Sequence, residues 1–116
     1  MNKNQLLQSA AFISLLVLSL CCIQYYVEWG VRCNTHGESG KINMLMNRQI
    51  DPELMIFGSS VALVQLDDSL IASHTGMTTV NMGLSGVSFQ QYRGLAEEFV
   101  SYTTKCKYVC FCEYPF

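Results

Sequence analysis

One stretch of this chain indicates its fold: Leu54-Met55-Ile56-Phe57-Gly58-Ser59-Ser60. Its first four residues form a continuous apolar run, which is typical of a strand buried on both faces of a parallel sheet. Gly58 then permits a tight turn and a close approach of other atoms, and two serines follow it. We therefore predict a buried strand that ends in a glycine-serine turn.

The segments that follow alternate between helical and strand patterns. A short helix is predicted at residues 67–72, with an acid at its start, and a second strand at residues 78–81. The apolar stripe of Phe89–Tyr102 predicts a longer helix with a core-facing side, and Tyr108–Cys112 predicts a third strand. This order favours right-handed βαβ crossovers, and therefore an α/β fold with a parallel sheet of about three strands.

The N-terminal part of the chain is apolar enough to be a membrane anchor. Residues 5–27 carry no charged side chain and reach the roughly 20 residues that are needed to cross a bilayer. Aromatic side chains that suit a membrane interface follow at its end, namely Tyr25, Tyr26 and Trp29. With Lys3 on the opposite flank, we predict a single-pass segment with a cytoplasmic N-terminus and an extracytoplasmic domain.

Other interpretations of this segment stay open. A cleaved signal peptide has a similar apolar centre, but no small-x-small cleavage site follows it here. A lipoprotein signal is disfavoured because Leu20 is large for the position before Cys21, and a buried soluble helix is a third alternative. We divide the chain into a cytoplasmic stub and anchor at 1–29, a linker with a short helix at 30–52, and an α/β domain at 53–116.

Composition limits the function. A chain of 116 residues with a net charge of −2 and no block of like charge has no electrostatic footprint for nucleic acid. Six cysteines are present, but the spacing of Cys106, Cys110 and Cys112 is not that of a zinc site, so no metal is predicted. An extracytoplasmic location would permit disulfides, yet we expect the cysteines to be buried free thiols.

Glycine and serine residues stand at the carboxyl ends of the first two predicted strands, where sites form in open parallel sheets. The candidates are Gly58, Ser59, Ser60, Gly83 and Gly86. A glycine N–H can approach a developing oxyanion without a side chain in the way, and Asn81 can orient the second loop through hydrogen bonds to the backbone. Ordinary turns, with glycines needed only for their backbone angles, would give the same pattern.

The two blocks resemble those of the SGNH/GDSL hydrolase family. Ile56-Phe57-Gly58-Ser59-Ser60 is similar to the first block, with Ser59 where the name-giving aspartate often stands. Asn81-Met82-Gly83-Leu84-Ser85-Gly86 is similar to the second block. The resemblance covers residues 53–116, which correspond to the front half of such a domain.

The resemblance implies a partial flavodoxin-like, three-layer sheet and an esterase or acyltransferase that needs no cofactor. Ser60 takes the place of the nucleophile, and the N–H groups of Ser60 and Gly86 take the place of the oxyanion hole. Supporting positions are Gly58, Ser59, Asn81 and Gly83. Anchored members of the family act on cell-envelope polymers, so an acylated carbohydrate or lipid is the expected substrate.

The sequence departs from the family in its later blocks. The asparagine that follows the third strand and the Asp-x-x-His pair have no counterpart, and neither His36 nor His74 matches the family histidine. A serine hydroxyl is a weak nucleophile without a base in hydrogen-bond reach. We therefore expect this chain to be the N-terminal portion of the enzyme and to be inactive alone.

A non-catalytic interpretation is the alternative. The chain would then be a membrane-anchored binding or scaffold module with a degenerate α/β half-fold. A sheet of three parallel strands leaves an open edge, and a partner would be expected to cover it.

Overall fold

The computed structural model describes residues 2–113, which form five helices and three strands. In chain order these are α1 (Lys3–Arg32), α2 (Gly37–Met46), β1 (Leu54–Gly58), α3 (Ser60–Gln65), α4 (Asp68–Thr75), β2 (Thr79–Gly83), α5 (Phe89–Tyr102) and β3 (Tyr108–Cys112). They belong to two compact units, which divide between Asn34 and Thr35.

The first unit is the single helix α1. Its 30 residues make it about 45 Å long, and none of them is buried. The helix is long and apolar enough to cross a membrane, and it contains all of the predicted anchor at residues 5–27. Its orientation in a bilayer stays a prediction.

The second unit contains a parallel sheet with the strand order β2-β1-β3, which confirms the predicted α/β class. Leu54 of β1 pairs with Thr79 of β2 and with Tyr108 of β3. All five residues of β1 are buried, as the continuous apolar run predicted for a central strand.

Alternate residues of β1 pack into two different hydrophobic clusters, because successive side chains of a strand point to opposite faces. The first cluster takes side chains from α2 and α5, and it contains Leu45, Met55, Phe57, Met82, Tyr92, Ala96 and Phe99. The second takes side chains from α3 and α4, and it includes Leu54, Ile56 and Ala62 with the half-buried Leu66 and Ile71. Both faces of the central strand are therefore covered by helices.

Strand β3 differs sharply from β1 in exposure. Tyr108 is 59% exposed and Phe111 is 51% exposed. Phe57, which pairs with Phe111 from β1, is fully buried. Within residues 2–113 no strand pairs with the outer side of β3. One edge of the sheet is thus open and partly apolar.

The segment predicted as a linker with a short helix at residues 30–52 is more helical than expected. Helix α1 continues through Arg32, and α2 begins at Gly37. Gly37 has a φ of +66°, a conformation that favours glycine, and a Cβ on the buried Gly40 would overlap the backbone of Thr35. Gly37 therefore serves a tight turn, and Gly40 permits a close backbone approach.

The cysteines are free but not buried, so the predicted burial is wrong. Exposed thiols are those of Cys21, Cys22, Cys33 and Cys110. Cys106 and Cys112 are half-buried, and desolvation raises the pKa of both thiols. These two groups are therefore kept in the protonated, weakly nucleophilic form.

Candidate active site

The strand register brings the predicted site segments to one edge of the sheet. Gly58 pairs with both Gly83 and Cys112, so the three strands end side by side. The residues that follow them line a cavity of about 520 Å³. Its lining comprises Ser59, Ser60, Val61, Gly86, Val87, Ser88, Phe89, Tyr92 and Glu113. Ser60 and Gly86, which lie 26 positions apart in the chain, therefore share one cavity.

Ser60 is the first residue of α3 and its side chain is exposed. The turn before it depends on Gly58, because a Cβ there would lie 2.5 Å from the Cys112 carbonyl oxygen and 2.7 Å from the Ala62 Cβ. Those distances are too short for any real Cβ. The close packing of β1, β3 and α3 thus fixes where Ser60 stands.

Gly83 and Gly86 have different roles in the loop after β2. A Cβ on Gly83 would overlap the backbone of Leu63, so Gly83 lets β2 and α3 approach closely. Gly86 has open space around it, but its φ of +68° lies in the left-handed region. Position 86 therefore requires a glycine because of its backbone conformation, although a larger side chain would have room there.

Asn81 ties this loop to α3, and it is the one polar residue in the core of the part of the chain that the structure describes. Its Nδ2 donates to the carbonyl oxygens of Ala62 at 2.8 Å and Leu66 at 2.7 Å. Its Oδ1 accepts from the Gly83 N–H at 2.8 Å. These bonds are of the side-chain to backbone kind that the sequence predicted, and they also satisfy carbonyls at the end of α3.

Glu38 of α2 holds the same loop from the other side. Its carboxylate accepts from the Ser85 N–H at 2.6 Å and from the Ser85 hydroxyl at 2.9 Å. These bonds, the backbone one first, lower the pKa of Glu38. Ser85, which immediately precedes Gly86, is therefore held by the Glu38 carboxylate. No local sequence pattern predicts this contact.

Tyr92 of α5 is part of the cavity wall, and its hydroxyl is buried. The residue is 1% exposed, and its ring packs 5.3 Å from the Phe89 ring and 6.3 Å from the Phe111 ring, centroid to centroid. Its hydroxyl has no hydrogen-bond partner among residues 2–113. Burial, with a smaller contribution from Glu113, raises the pKa of Tyr92, so the hydroxyl stays protonated.

The apolar stripe of α5 predicted Tyr92 as a core residue, and the burial confirms that. Phe89, at the start of the same stripe, is 44% exposed because it borders the cavity. A tyrosine at a buried stripe position was the available signal for a polar function, since buried tyrosine hydroxyls usually find a partner.

The cavity has no histidine in its described lining. His36 precedes α2, and His74 lies in α4 with its Nδ1 2.9 Å from the Leu70 carbonyl oxygen. Among residues 2–113 no cluster of three or more histidine, cysteine or acidic residues suits a metal ion. The described lining offers serine hydroxyls, one carboxylate from Glu113, backbone N–H groups and an apolar wall.

A larger hollow of about 690 Å³ lies at the opposite, amino edge of the sheet. Its acids are engaged: Glu53 accepts from Lys107 Nζ at 2.6 Å, and Asp51 accepts from the Thr104 hydroxyl at 2.8 Å. Such pairing leaves little for a ligand, so the smaller cavity beside Ser60 is the better candidate site.

No family model, curated protein or solved structure matches this chain. The function must therefore be argued from the site itself.

Proposed function

We propose that this chain carries the nucleophile and oxyanion half of a membrane-anchored SGNH-like esterase or acyltransferase with a flavodoxin-like sheet. One observation carries the proposal: Ser60 and Gly86 line the same cavity at the carboxyl edge of a parallel sheet. That edge is where open α/β sheets place their ligands.

In the proposed reaction the Ser60 hydroxyl oxygen attacks an ester carbonyl carbon. The negative charge that develops on the carbonyl oxygen is stabilised by the N–H groups of Ser60 and Gly86. A histidine outside the described residues takes the Ser60 proton and returns it to the departing alcohol. Water or a second hydroxyl then removes the acyl group from Ser60, which makes the enzyme a hydrolase or a transferase.

The proposed location is a membrane surface. Helix α1 is long and apolar enough to span a bilayer, Lys3 stands at its start, and aromatic residues stand near its end. In the proposed topology the N-terminus is cytoplasmic and the domain lies outside. The substrates would then be O-acyl groups on cell-envelope glycans or lipids.

The test is labelling with a fluorophosphonate, which forms a phosphonyl ester with an activated serine. The chain in detergent should show no adduct by intact mass, because the described lining of the cavity contains no histidine to act as the base. Added imidazole substitutes for the base, and a single adduct should then form at Ser60. Ser60→Ala should abolish it, whereas the neighbouring Ser59→Ala should retain it. An imidazole-dependent adduct that persists in Ser60→Ala would refute the assignment.

A non-catalytic binding module is the second candidate. The unpaired outer side of strand β3 favours it. Phe111 and Tyr108 of β3 are more than half exposed, and a groove of about 540 Å³ lies between β3 and the Val100 side of α5. Exposed strand edges with apolar neighbours are common sites of strand addition. Tight binding of a partner that Phe111→Lys abolishes, with no imidazole-dependent labelling of Ser60, would favour this candidate.

A further inference from the structure

The Tyr92 hydroxyl is the one buried side-chain polar group that lacks a hydrogen-bond partner within residues 2–113. A buried hydroxyl without a partner is destabilising, because it loses its bonds to water and gains none. The ring alone accounts for the contacts with Phe89 and Phe111, and phenylalanine would make them equally well. Packing therefore does not explain why this residue is a tyrosine.

The hydroxyl lies at the carboxyl edge of the sheet. The ionisable groups that act on it are Glu113 and Cys112, both at the end of β3. Cys112 pairs with Gly58, the residue that precedes the Ser59–Ser60 turn. Tyr92 is also part of the wall of the cavity that contains Ser60 and Gly86. The unpartnered donor and the candidate nucleophile thus belong to one site.

The rest of the cavity wall is mainly apolar. Val61, Val87 and Phe89 face it, together with the ring of Tyr92. A ligand that fits this wall has an apolar portion and few polar atoms, and each of those needs a specific partner. A small ester meets this description, since a short acyl chain can lie on the apolar wall.

We propose that Tyr92 is a ligand-binding residue whose hydroxyl donates a hydrogen bond to an oxygen atom of a small, short-chain ester in the Ser60–Gly86 cavity. The inference rests on the proposed function for the class of ligand. The hydroxyl has no partner among residues 2–113 of the free protein and gains one when the ester binds.

The experiment compares Tyr92→Phe with Tyr102→Phe in the full chain, in detergent. Tyr102 lies on the same helix, but its hydroxyl donates to the Ile50 carbonyl oxygen at 3.0 Å, so it is the matched control. Tyr92→Phe should leave the urea midpoint unchanged or raise it, and Tyr102→Phe should lower it. These opposite signs follow from an unsatisfied and a satisfied hydroxyl.

Ligand affinity is the second measurement, with methyl butyrate as the probe in an amide chemical-shift titration. Tyr92→Phe should weaken binding by about 3- to 10-fold, the loss expected for one hydrogen bond. Tyr102→Phe should bind as tightly as the unaltered chain. Absence of methyl butyrate binding by the unaltered chain, or equal affinity in Tyr92→Phe, would overturn the inference.

Glu113 provides a further check because its carboxylate is a possible acceptor for the Tyr92 hydroxyl. If Tyr92→Phe lowers the urea midpoint and Glu113→Gln removes that difference, the hydroxyl is a structural donor and the inference is wrong.

The ester-binding experiment tests this inference and the Ser60 labelling experiment tests the proposed function, so either can fail while the other succeeds. A chain that binds methyl butyrate through Tyr92 but is never labelled at Ser60 would retain the inference and lose the proposed chemistry.

Discussion

The two edges of the sheet, formed by the same three strands, differ in how their polar groups are used. At the amino edge, Asp51 accepts hydrogen bonds from both Thr103 and Thr104, and Glu53 pairs with Lys107. At the carboxyl edge, an open cavity is bordered by the Ser60 residue and by Tyr92, whose buried hydroxyl has no partner within the described residues 2–113.

The difference separates stability from function. Polar groups that are fully paired within the protein have little to offer a ligand, and they connect the loops that enter the strands. A buried polar group without a partner costs stability, so its presence needs an explanation, and a bound ligand is one. The size of a hollow is therefore a poorer indicator of a site than the state of its polar atoms.

The largest effect on stability is expected from adding a side chain where β2 and α3 pack closely. Gly83→Ala places a Cβ against the backbone of Leu63, which cannot move without separating the two elements. We expect a loss of about 3 kcal/mol in the free energy of unfolding, measured by urea titration. Gly94→Ala, on α5 with open space around it, should instead stabilise by about 0.5–1 kcal/mol. Equal effects of the two substitutions would contradict the packing argument.

The next effect concerns the buried amide that supports the carboxyl edge. Asn81→Leu removes the side-chain partner of the Gly83 N–H and of the Leu66 carbonyl, while the Ala62 carbonyl keeps the Leu66 N–H as a partner. We expect a loss of about 2–3 kcal/mol in the free energy of unfolding. The exposed Asn47, changed to alanine, is the control and should alter it by less than about 0.5 kcal/mol. A neutral Asn81→Leu would show that these bonds do not hold the loop.

The amino edge should respond to acid. The side-chain hydrogen bond from Thr103, with further bonds from Thr104, lowers the pKa of Asp51 from 3.8 to about 2. Since the folded pKa is below the unfolded value, the contribution of Asp51 is complete above about pH 4 and is lost as the pH falls through about 2. Asp51→Asn should therefore be less stable than the unaltered chain at pH 7.

The difference in thermal midpoint between the two proteins should shrink between about pH 4 and pH 2. Thr103→Val removes the hydrogen bond from Thr103 to Asp51 without changing a charge. Its destabilising effect should also shrink between about pH 4 and pH 2. A difference that stays constant down to pH 2 would mean that Asp51 has an ordinary pKa.

The smallest effect is expected at the exposed contact between α2 and the loop before Gly86. Glu38→Gln weakens the bonds that Ser85 donates, because a charged acceptor is replaced by a neutral one. Global stability should change little, but the Ser85 amide should exchange with solvent faster in a hydrogen-exchange experiment. Glu97→Gln, on the exposed face of α5, should leave that amide unchanged. Unaltered exchange in Glu38→Gln would indicate a loop held by other contacts.

The strands and the long helix of this fold could be predicted because their signals are local. Apolar runs gave β1 and β3 to within a residue, and the helical stripe gave the bounds of α5, Phe89–Tyr102. Gly76 ends α4 in the left-handed conformation, which a glycine adopts readily. The six residues of helix α3 carry too little periodicity to predict a helix from the sequence.

The site could be predicted only in part. Glycines after strands locate the segments that line the cavity, but the partners of their side chains come from distant parts of the chain. Glu38 reaches Ser85 across 47 positions, and no local pattern indicates that pairing. Likewise the stripe on α5 identifies Tyr92 as buried, whereas its missing hydrogen bond is visible only when the surrounding strands are in place.

The central position of β1 has a consequence for synthesis. Leu54 pairs with Thr79 and Tyr108, which lie 25 and 54 positions later in the chain. At about 5–20 residues per second, a ribosome makes the last of these partners roughly 3–10 s after β1. During that interval the most apolar strand of the domain has one side without its neighbour. Met55–Phe57, which are buried in the folded domain, therefore stay without their β3 neighbour until residues 108–112 have been made.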